Sequence, residues 1–242
     1  MRVLIVGCGY IGLPLGQELL AQGHEVVGLR RSAEGAAKLQ SAGITPLVAD
    51  ITRPETLPVL NAPYDWVVNC AASGGGDAEA YRQLYLQGTR NLIDWLAPVM
   101  PMKYVYTSST SVYGQDDGSL VKETSPTEPV AETGNVLVET EKVLLTASQE
   151  RKFPAVILRV AGIYGPDRGY AFRQFLSGEA RIVGDGMRSL NMIHRDDVVG
   201  VIIAALKNGR PGEVYNTCDD EPVSQTNFYT WLRECLDKPM PP

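Results

Sequence analysis

Gly7-Cys8-Gly9-Tyr10-Ile11-Gly12 spaces three glycines as G-x-G-x-x-G, directly after the apolar run Val3–Val6 and ahead of a helical pattern. That spacing suits a pyrophosphate. The first glycine permits a tight turn, the second lets backbone approach the anion, and the third lets helix lie on strand. The helix N-terminus adds unpaired N–H groups and the positive end of its dipole. With 24 glycines in the chain the pattern alone would arise by chance, but strand before and helix after make it a dinucleotide-binding turn. Gly7, Gly9, Tyr10, Ile11 and Gly12 are therefore expected to hold a cofactor.

The next strand selects among dinucleotides. Val26-Val27-Gly28-Leu29 runs into Arg30-Arg31-Ser32, where an NAD-selective site carries a carboxylate for the ribose 2′-OH. Two guanidiniums beside a hydroxyl would instead clamp a 2′-phosphate through charge-assisted hydrogen bonds. NADP(H) is expected over NAD(H). Asp50, followed by Ile51, closes the third strand and is placed to meet the adenine amino group. Asn69–Ser73, with Ala71, Ala72 and Ser73, end the fourth strand and would line the pyrophosphate and the nicotinamide-side ribose.

The elements that must position these groups alternate along the chain. Strands are predicted at Val3–Val6, Glu25–Leu29, Pro46–Ala49, Trp66–Cys70, Lys103–Thr107 and Ala155–Arg159. Between them lie amphipathic patterns. The clearest is Tyr81, Leu84, Tyr85, Gly88, Leu92, Trp95 and Leu96 on one helical face, and another runs from Val136 to Ala147. Strands apolar throughout and alternating with helices mean a parallel sheet covered on both faces. The fold class is α/β, a Rossmann-type doubly wound sheet. Beyond Ile163 the elements shorten and glycines and charges become denser. Residues 1–162 are read as the dinucleotide-binding core and 163–242 as a small substrate cap intermixed with the end of the sheet. The cap includes helical patterns at Asp196–Leu206 and Thr226–Leu236, and the ending Pro239-Met240-Pro241-Pro242 suggests that natural chain is missing there.

Composition narrows the partners. The chain has 242 residues, 44% hydrophobic and 21% charged, with a net charge of −6 and no basic run longer than Arg30-Arg31. A nucleic-acid surface needs clustered cations, so none is expected. No apolar stretch approaches the roughly 20 residues of a membrane span. The cysteines Cys8, Cys70, Cys218 and Cys235 form no Cys-x-x-Cys, and the histidines His24 and His194 stand far apart, so no metal is expected. The reading is a soluble, cytoplasmic protein with reduced thiols.

These motifs, in this order, resemble the extended short-chain dehydrogenase/reductase family of NAD(P)-dependent epimerases and dehydratases. The likeness rests on Gly7–Gly12, Asp50-Ile51, Asn69-Cys70-Ala71-Ala72, Thr107–Gly114, Leu158–Pro166, Ile193–Val198 and Val214-Tyr215-Asn216. It implies a Rossmann core with a C-terminal substrate cap, acting on a small polar or nucleotide-sugar substrate. It also implies, by analogy, a homodimer packed through Ala80–Leu96 and Asn135–Gln149. The family transfers hydride with a serine or threonine and a Tyr-x-x-x-Lys pair, whose lysine lowers the pKa of the phenol. Ser109, four residues before Tyr113, takes the serine position. Thr133 stands in the tyrosine slot and Leu137 in the lysine slot, and none of the eleven tyrosines has a lysine four residues on. The chain is thus similar to atypical family members.

Ser109, Thr133 and Tyr113 are the catalytic candidates, with Tyr164 a further phenol facing the expected cleft. Cys8 is read as space filling beside the cofactor. Asp196 and Asp197 are read as helix caps, and Ser73-Gly74-Gly75-Gly76-Asp77 either bends around a ligand or leads into a helix. Two functions remain open. One is an NADP(H)-dependent epimerase/dehydratase-like oxidoreductase, and the other a non-catalytic NADP(H)-binding redox sensor or scaffold.

Overall fold

A computed structural model describes residues 1–242 apart from Gly74 and Gly76, so the glycine run at 73–77 lies partly outside the described residues. In chain order the first half contains β1 (Arg2–Val6), α1 (Gly12–Ala21), β2 (Glu25–Arg30), α2 (Ala33–Ser41), β3 (Thr45–Val48) and β4 (Trp66–Asn69). Then come α3 (Ala78–Tyr81), a π-helical turn (Arg82–Gln87), α4 (Gly88–Leu96), β5 (Lys103–Ser109), α5 (Glu132–Arg151) and β6 (Ala155–Val160). The remainder holds β7 (Gly162–Tyr164), α6 (Tyr170–Ser177), β8 (Ser189–Leu190), β9 (Met192–His194), α7 (Arg195–Asn208), β10 (Val214–Thr217), β11 (Val223–Ser224) and α8 (Gln225–Leu236).

Among the described residues, seven strands form one sheet in the order β10-β6-β5-β4-β1-β2-β3. All pairings in it are parallel. The reason the strands are apolar at every position is visible in β1. Val3 and Ile5 point into a core shared with Leu15 of α1 and Ile202 of α7. Leu4 and Val6 point into the opposite core, with Leu92 and Leu96 of α4 and Leu144 of α5. Each face is covered, so neither alternate set of side chains meets water.

The helix between β4 and β5 differs from the sequence reading. The single helix expected over 81–96 contains a π-helical turn at Arg82–Gln87. The wider turn changes the register between its halves. Leu92, Ile93 and Leu96 enter the core, while Leu84 and Tyr85 pack at its edge and, with Tyr81, line an open cleft. Such turns recur at functional sites, and a 3.6-residue periodicity does not reveal them.

Beyond β6 the chain alternates between small pieces of its own and the main sheet. β7 pairs with β9, and β8 with β11. Around Phe175, Ala180, Tyr229 and Leu232, α6 and α8 build a small core of their own. Between these pieces α7 and β10 return to the main layers. The N-cap of α7 is His194, whose Nδ1 accepts the Asp196 N–H at 3.3 Å. Asp196 and Asp197 lie in the first turn, where their charge favours the helix dipole rather than capping it. No helix among the described residues is long and apolar enough to cross a membrane.

Candidate cofactor and active site

The strand order reverses between β1 and β4, and the carboxyl ends of the strands open there into a cleft of about 2480 Å³. Ligands of doubly wound sheets bind at such switch points. Gly7, Gly9, Tyr10 and Ile11 form one wall. Gly7 has φ +76, and a Cβ there would lie 2.3 Å from the Ala71 backbone, so no other residue fits. Among the described residues the N–H groups of Tyr10, Ile11 and Gly12 have no hydrogen-bond acceptor, and no side chain caps α1. That bare helix terminus is what an oxygen-rich anion requires. A pyrophosphate fits this cradle.

Arg30 leaves the end of β2 and folds over the turn. Its Nη1 donates to the Cys8 carbonyl at 3.4 Å and would stand 2.6 Å from a Cβ on Gly9. Arg31 and Ser32 continue the same wall. Ser32 Oγ accepts the Gly35 N–H at 3.1 Å and caps α2, which leaves its own proton available to donate. Cys8 is buried in the core behind the turn, and burial pushes its thiol up to about 12 against the opposing charge of Arg30. The helix dipole does not make it a thiolate.

The remaining cofactor candidates divide. Ile51, Ala71 and Ala72 line the cleft. Asp50 does not, because its Oδ1 turns back to accept from the Thr52 N–H at 2.9 Å and the Thr52 hydroxyl at 2.8 Å. Ser73 does not line the cleft either: its N–H donates to Tyr85 Oη at 3.2 Å, and its Oγ is buried without a partner among the described residues.

Of the catalytic candidates, Ser109 ends β5 on the cleft wall and its Oγ accepts the Ser111 N–H at 3.1 Å. Tyr113 is on the wall, but its phenol is fully engaged. It accepts from Arg159 Nη1 at 2.6 Å and donates to Asn216 Oδ1 at 2.7 Å. The same guanidinium lies 4.9 Å over the ring. Arg159 in turn pairs with Glu141 at 2.7 Å, both nearly solvent-free at 5% and 3% exposure, and Ser108 Oγ donates to Glu141 Oε1 at 2.6 Å. Tyr113 is thus held as the edge of a buried ionic network. Thr133 lies in the first turn of α5 and is not part of the cleft wall. One turn on, Leu137 is on the wall and packs with Val112 and Val138 against Tyr85 and Tyr113. Leu137 thus presents a buried alkyl group there.

Several wall residues were not anticipated. Tyr81, Leu84 and Tyr85 come from the π-helical turn, and Arg168, Arg173, Arg188, Phe172 and Trp231 come from the cap. Tyr164 packs edge-on to His194 at 5.3 Å. Tyr10 joins the two halves: its hydroxyl donates to the Pro166 carbonyl at 3.0 Å, with Arg168 and Arg195 over its ring at 5.1 and 5.5 Å. No group of three or more metal-ligating side chains is gathered among the described residues.

A parallel doubly wound sheet carrying an uncapped glycine-rich turn at its switch point is the architecture of dinucleotide-binding proteins. The sequence matches the NAD dependent epimerase/dehydratase family over residues 3–218, and the chain belongs to that family. It is similar to protein YeeZ of Escherichia coli K12, with 33% identity over 248 residues, covering 97% of this chain and 84% of that one. Among solved structures it resembles a putative NAD-dependent epimerase/dehydratase from Methylobacillus flagellatus, with TM-score 0.82 and 33% identity over 100% of this chain and 84% of that one. The UDP-glucuronic acid 4-epimerase of Bacillus cereus, solved with UDP-glucuronic acid and NAD, is similar with TM-score 0.82 and 25% identity, over 100% and 85% of the two chains.

Proposed function

We propose that this protein is an NADP(H)-dependent oxidoreductase of the epimerase/dehydratase type, acting on a small polar or nucleotide-linked substrate without a Tyr-x-x-x-Lys pair. The observation that carries it is Arg30, whose guanidinium lies over Gly9 where the second strand ends, with Arg31 and Ser32 beside it. A carboxylate in that position would repel a 2′-phosphate, whereas these groups attract it. The epimerase from Bacillus cereus carries NAD, so the comparison supports a nicotinamide dinucleotide and the preference for NADP(H) rests on this chain's own arginines.

When bound, such a dinucleotide supplies or accepts hydride at its nicotinamide. The chain's residues do the rest. The N–H groups of Tyr10, Ile11 and Gly12 would hold the pyrophosphate, Ala71 and Ala72 the adjoining ribose side, and Ser109 Oγ–H would bind the substrate oxygen. The arginines of the cap, Arg168, Arg173 and Arg188, which make no salt bridge among the described residues, favour an anionic substrate.

Calorimetric titration with NADPH, NADP⁺, NADH and NAD⁺ tests the reading. NADPH is expected to bind at least about tenfold tighter than NADH, about 1.4 kcal/mol. Equal affinity would remove the arginine clamp, and no binding of any of the four would remove the cofactor altogether. A second reading, a dinucleotide-binding redox sensor without turnover, draws on Leu137 in the lysine position and on the committed phenol of Tyr113. Tight binding with no nicotinamide oxidation across substrate classes, and a shape or partner response that differs between NADP⁺ and NADPH, would favour it.

A further inference from the structure

With Thr133 off the wall, Leu137 aliphatic and the Tyr113 phenol engaged on both sides, the cleft needs another proton donor if it transfers hydride. The tyrosines on its wall have distinct surroundings. Tyr10 donates to the Pro166 carbonyl, Tyr113 to Asn216, Tyr170 accepts from Gln174 out on the exposed cap helix, and the Tyr81 and Tyr164 phenols have no hydrogen bond holding them among the described residues. Tyr85 differs. The π-helical turn aims it into the cleft, its ring packs on Leu137 and Val112, and its Oη accepts the Ser73 N–H at 3.2 Å. Among the described residues no acceptor takes its proton. Val112 belongs to the short 3-10 turn that Ser109 heads, so the packing ties Tyr85 to the element that carries the serine.

We propose that Tyr85 is the catalytic acid of this cleft, donating its phenolic proton to a substrate carbonyl oxygen that Ser109 also binds. The proposal rests on the dinucleotide reading above. As hydride from a reduced nicotinamide dinucleotide reaches the carbonyl carbon, the C=O π bond breaks toward oxygen. The oxygen takes the proton from Tyr85, the product is an alcohol, and the dinucleotide leaves oxidised. The phenolate recovers its proton from water in the cleft. Burial pushes the Tyr85 phenol above its ordinary value, which keeps it protonated as an acid should be, while its bond with Ser73 and the positive charge of Arg168 pull the other way and favour the phenolate once formed. Tyr81, its ring 4.9 Å away, is the neighbouring titratable group on the same helix.

The test compares wild type with Tyr85→Phe, which keeps the ring and its packing. Ultraviolet difference titration of phenolate is followed with and without NADP⁺. The oxidised nicotinamide is cationic, so NADP⁺ is expected to move one phenol titration down by about one pH unit in wild type and none in Tyr85→Phe. Identical titrations of the two proteins in the presence of NADP⁺ overturn the proposal. With NADPH and phenanthrenequinone as the carbonyl probe, kcat is expected to fall roughly 100-fold in Tyr85→Phe, with calorimetric NADPH affinity unchanged. A variant as fast as wild type overturns it as well. If wild type does not turn over the probe, the titration decides. If no dinucleotide binds, the cofactor reading fails and takes this one with it; binding with an unmoved Tyr85 titration sinks this one alone.

Discussion

Beneath the cleft floor, Glu141 and Arg159 form an ion pair almost without solvent, at 3% and 5% exposure. Every polar direction around it is used: Ser108 donates to the carboxylate, while Arg159 reaches Tyr113 Oη and the Glu123 carbonyl. Such a pair is no guarantee of stability by itself, since desolvation offsets the attraction, but removing one partner leaves a buried charge uncompensated. Glu141→Ala is therefore expected to destabilise the protein by about 3–5 kcal/mol. Denaturant unfolding measures it, and an unchanged midpoint would mean that water replaces the carboxylate. The spacing of residues 108, 113, 141 and 159 along the sequence carries no sign of this network. Glu141 reads as one more surface acid on a helix whose apolar face is its neighbour.

At the scale of elements, α2 serves two purposes through one residue. Ser32 caps the helix by accepting the Gly35 N–H, and it lies on the cleft wall beside Arg30 and Arg31. These roles separate in Ser32→Asp. Aspartate caps as well as serine, so the unfolding midpoint should stay within about 0.5 kcal/mol of wild type. Its charge would face the 2′-phosphate, so NADPH affinity is expected to fall by about tenfold or more while NADH changes little. Parallel loss of both nucleotides would place the adenosine ribose elsewhere. The π-helical turn is the other element with a double duty. Around it one helix buries Leu92, Ile93 and Leu96, while Tyr85 packs at the edge of the same core and, with Tyr81, lines the cleft.

Taken whole, the molecule carries a net charge of −6, yet its cleft gathers Arg30, Arg31, Arg168, Arg173 and Arg188 against Asp116, Asp117 and Asp185. This excess of arginines over aspartates in the cleft is expected to favour anions there despite the net negative charge. The layered cores behind the cleft also divide the cysteines. Cys8 and Cys70 are buried, with burial raising both thiols, whereas Cys218 and Cys235 are exposed. Short treatment of the native protein with iodoacetamide, read by mass spectrometry, should therefore label Cys218 and Cys235 and leave the buried two until unfolding. Rapid native labelling of Cys8 would mean that the glycine turn opens far more readily than its packing implies.

The β–α alternation, the glycine turn, the arginines closing β2 and the missing Tyr-x-x-x-Lys were all legible in the residues alone. Each is a local matter: the period of apolar residues, a turn that only glycine can make, or a spacing within one helix. The sequence could therefore determine the sheet class and the place of the glycine turn in it. What it could not determine is which side chains meet across the cleft. Val214–Thr217 joins the sheet beside β6 only because the chain returns from the cap, Asp50 turns to Thr52 rather than the cleft, and Thr133 misses the wall while Leu137 reaches it. Tyr85 reads as a core residue of an amphipathic helix, and in the fold it packs at the edge of the core while also lining the cleft. These choices depend on contacts between segments distant in the chain, where packing and hydrogen-bond satisfaction are decided by all the layers together.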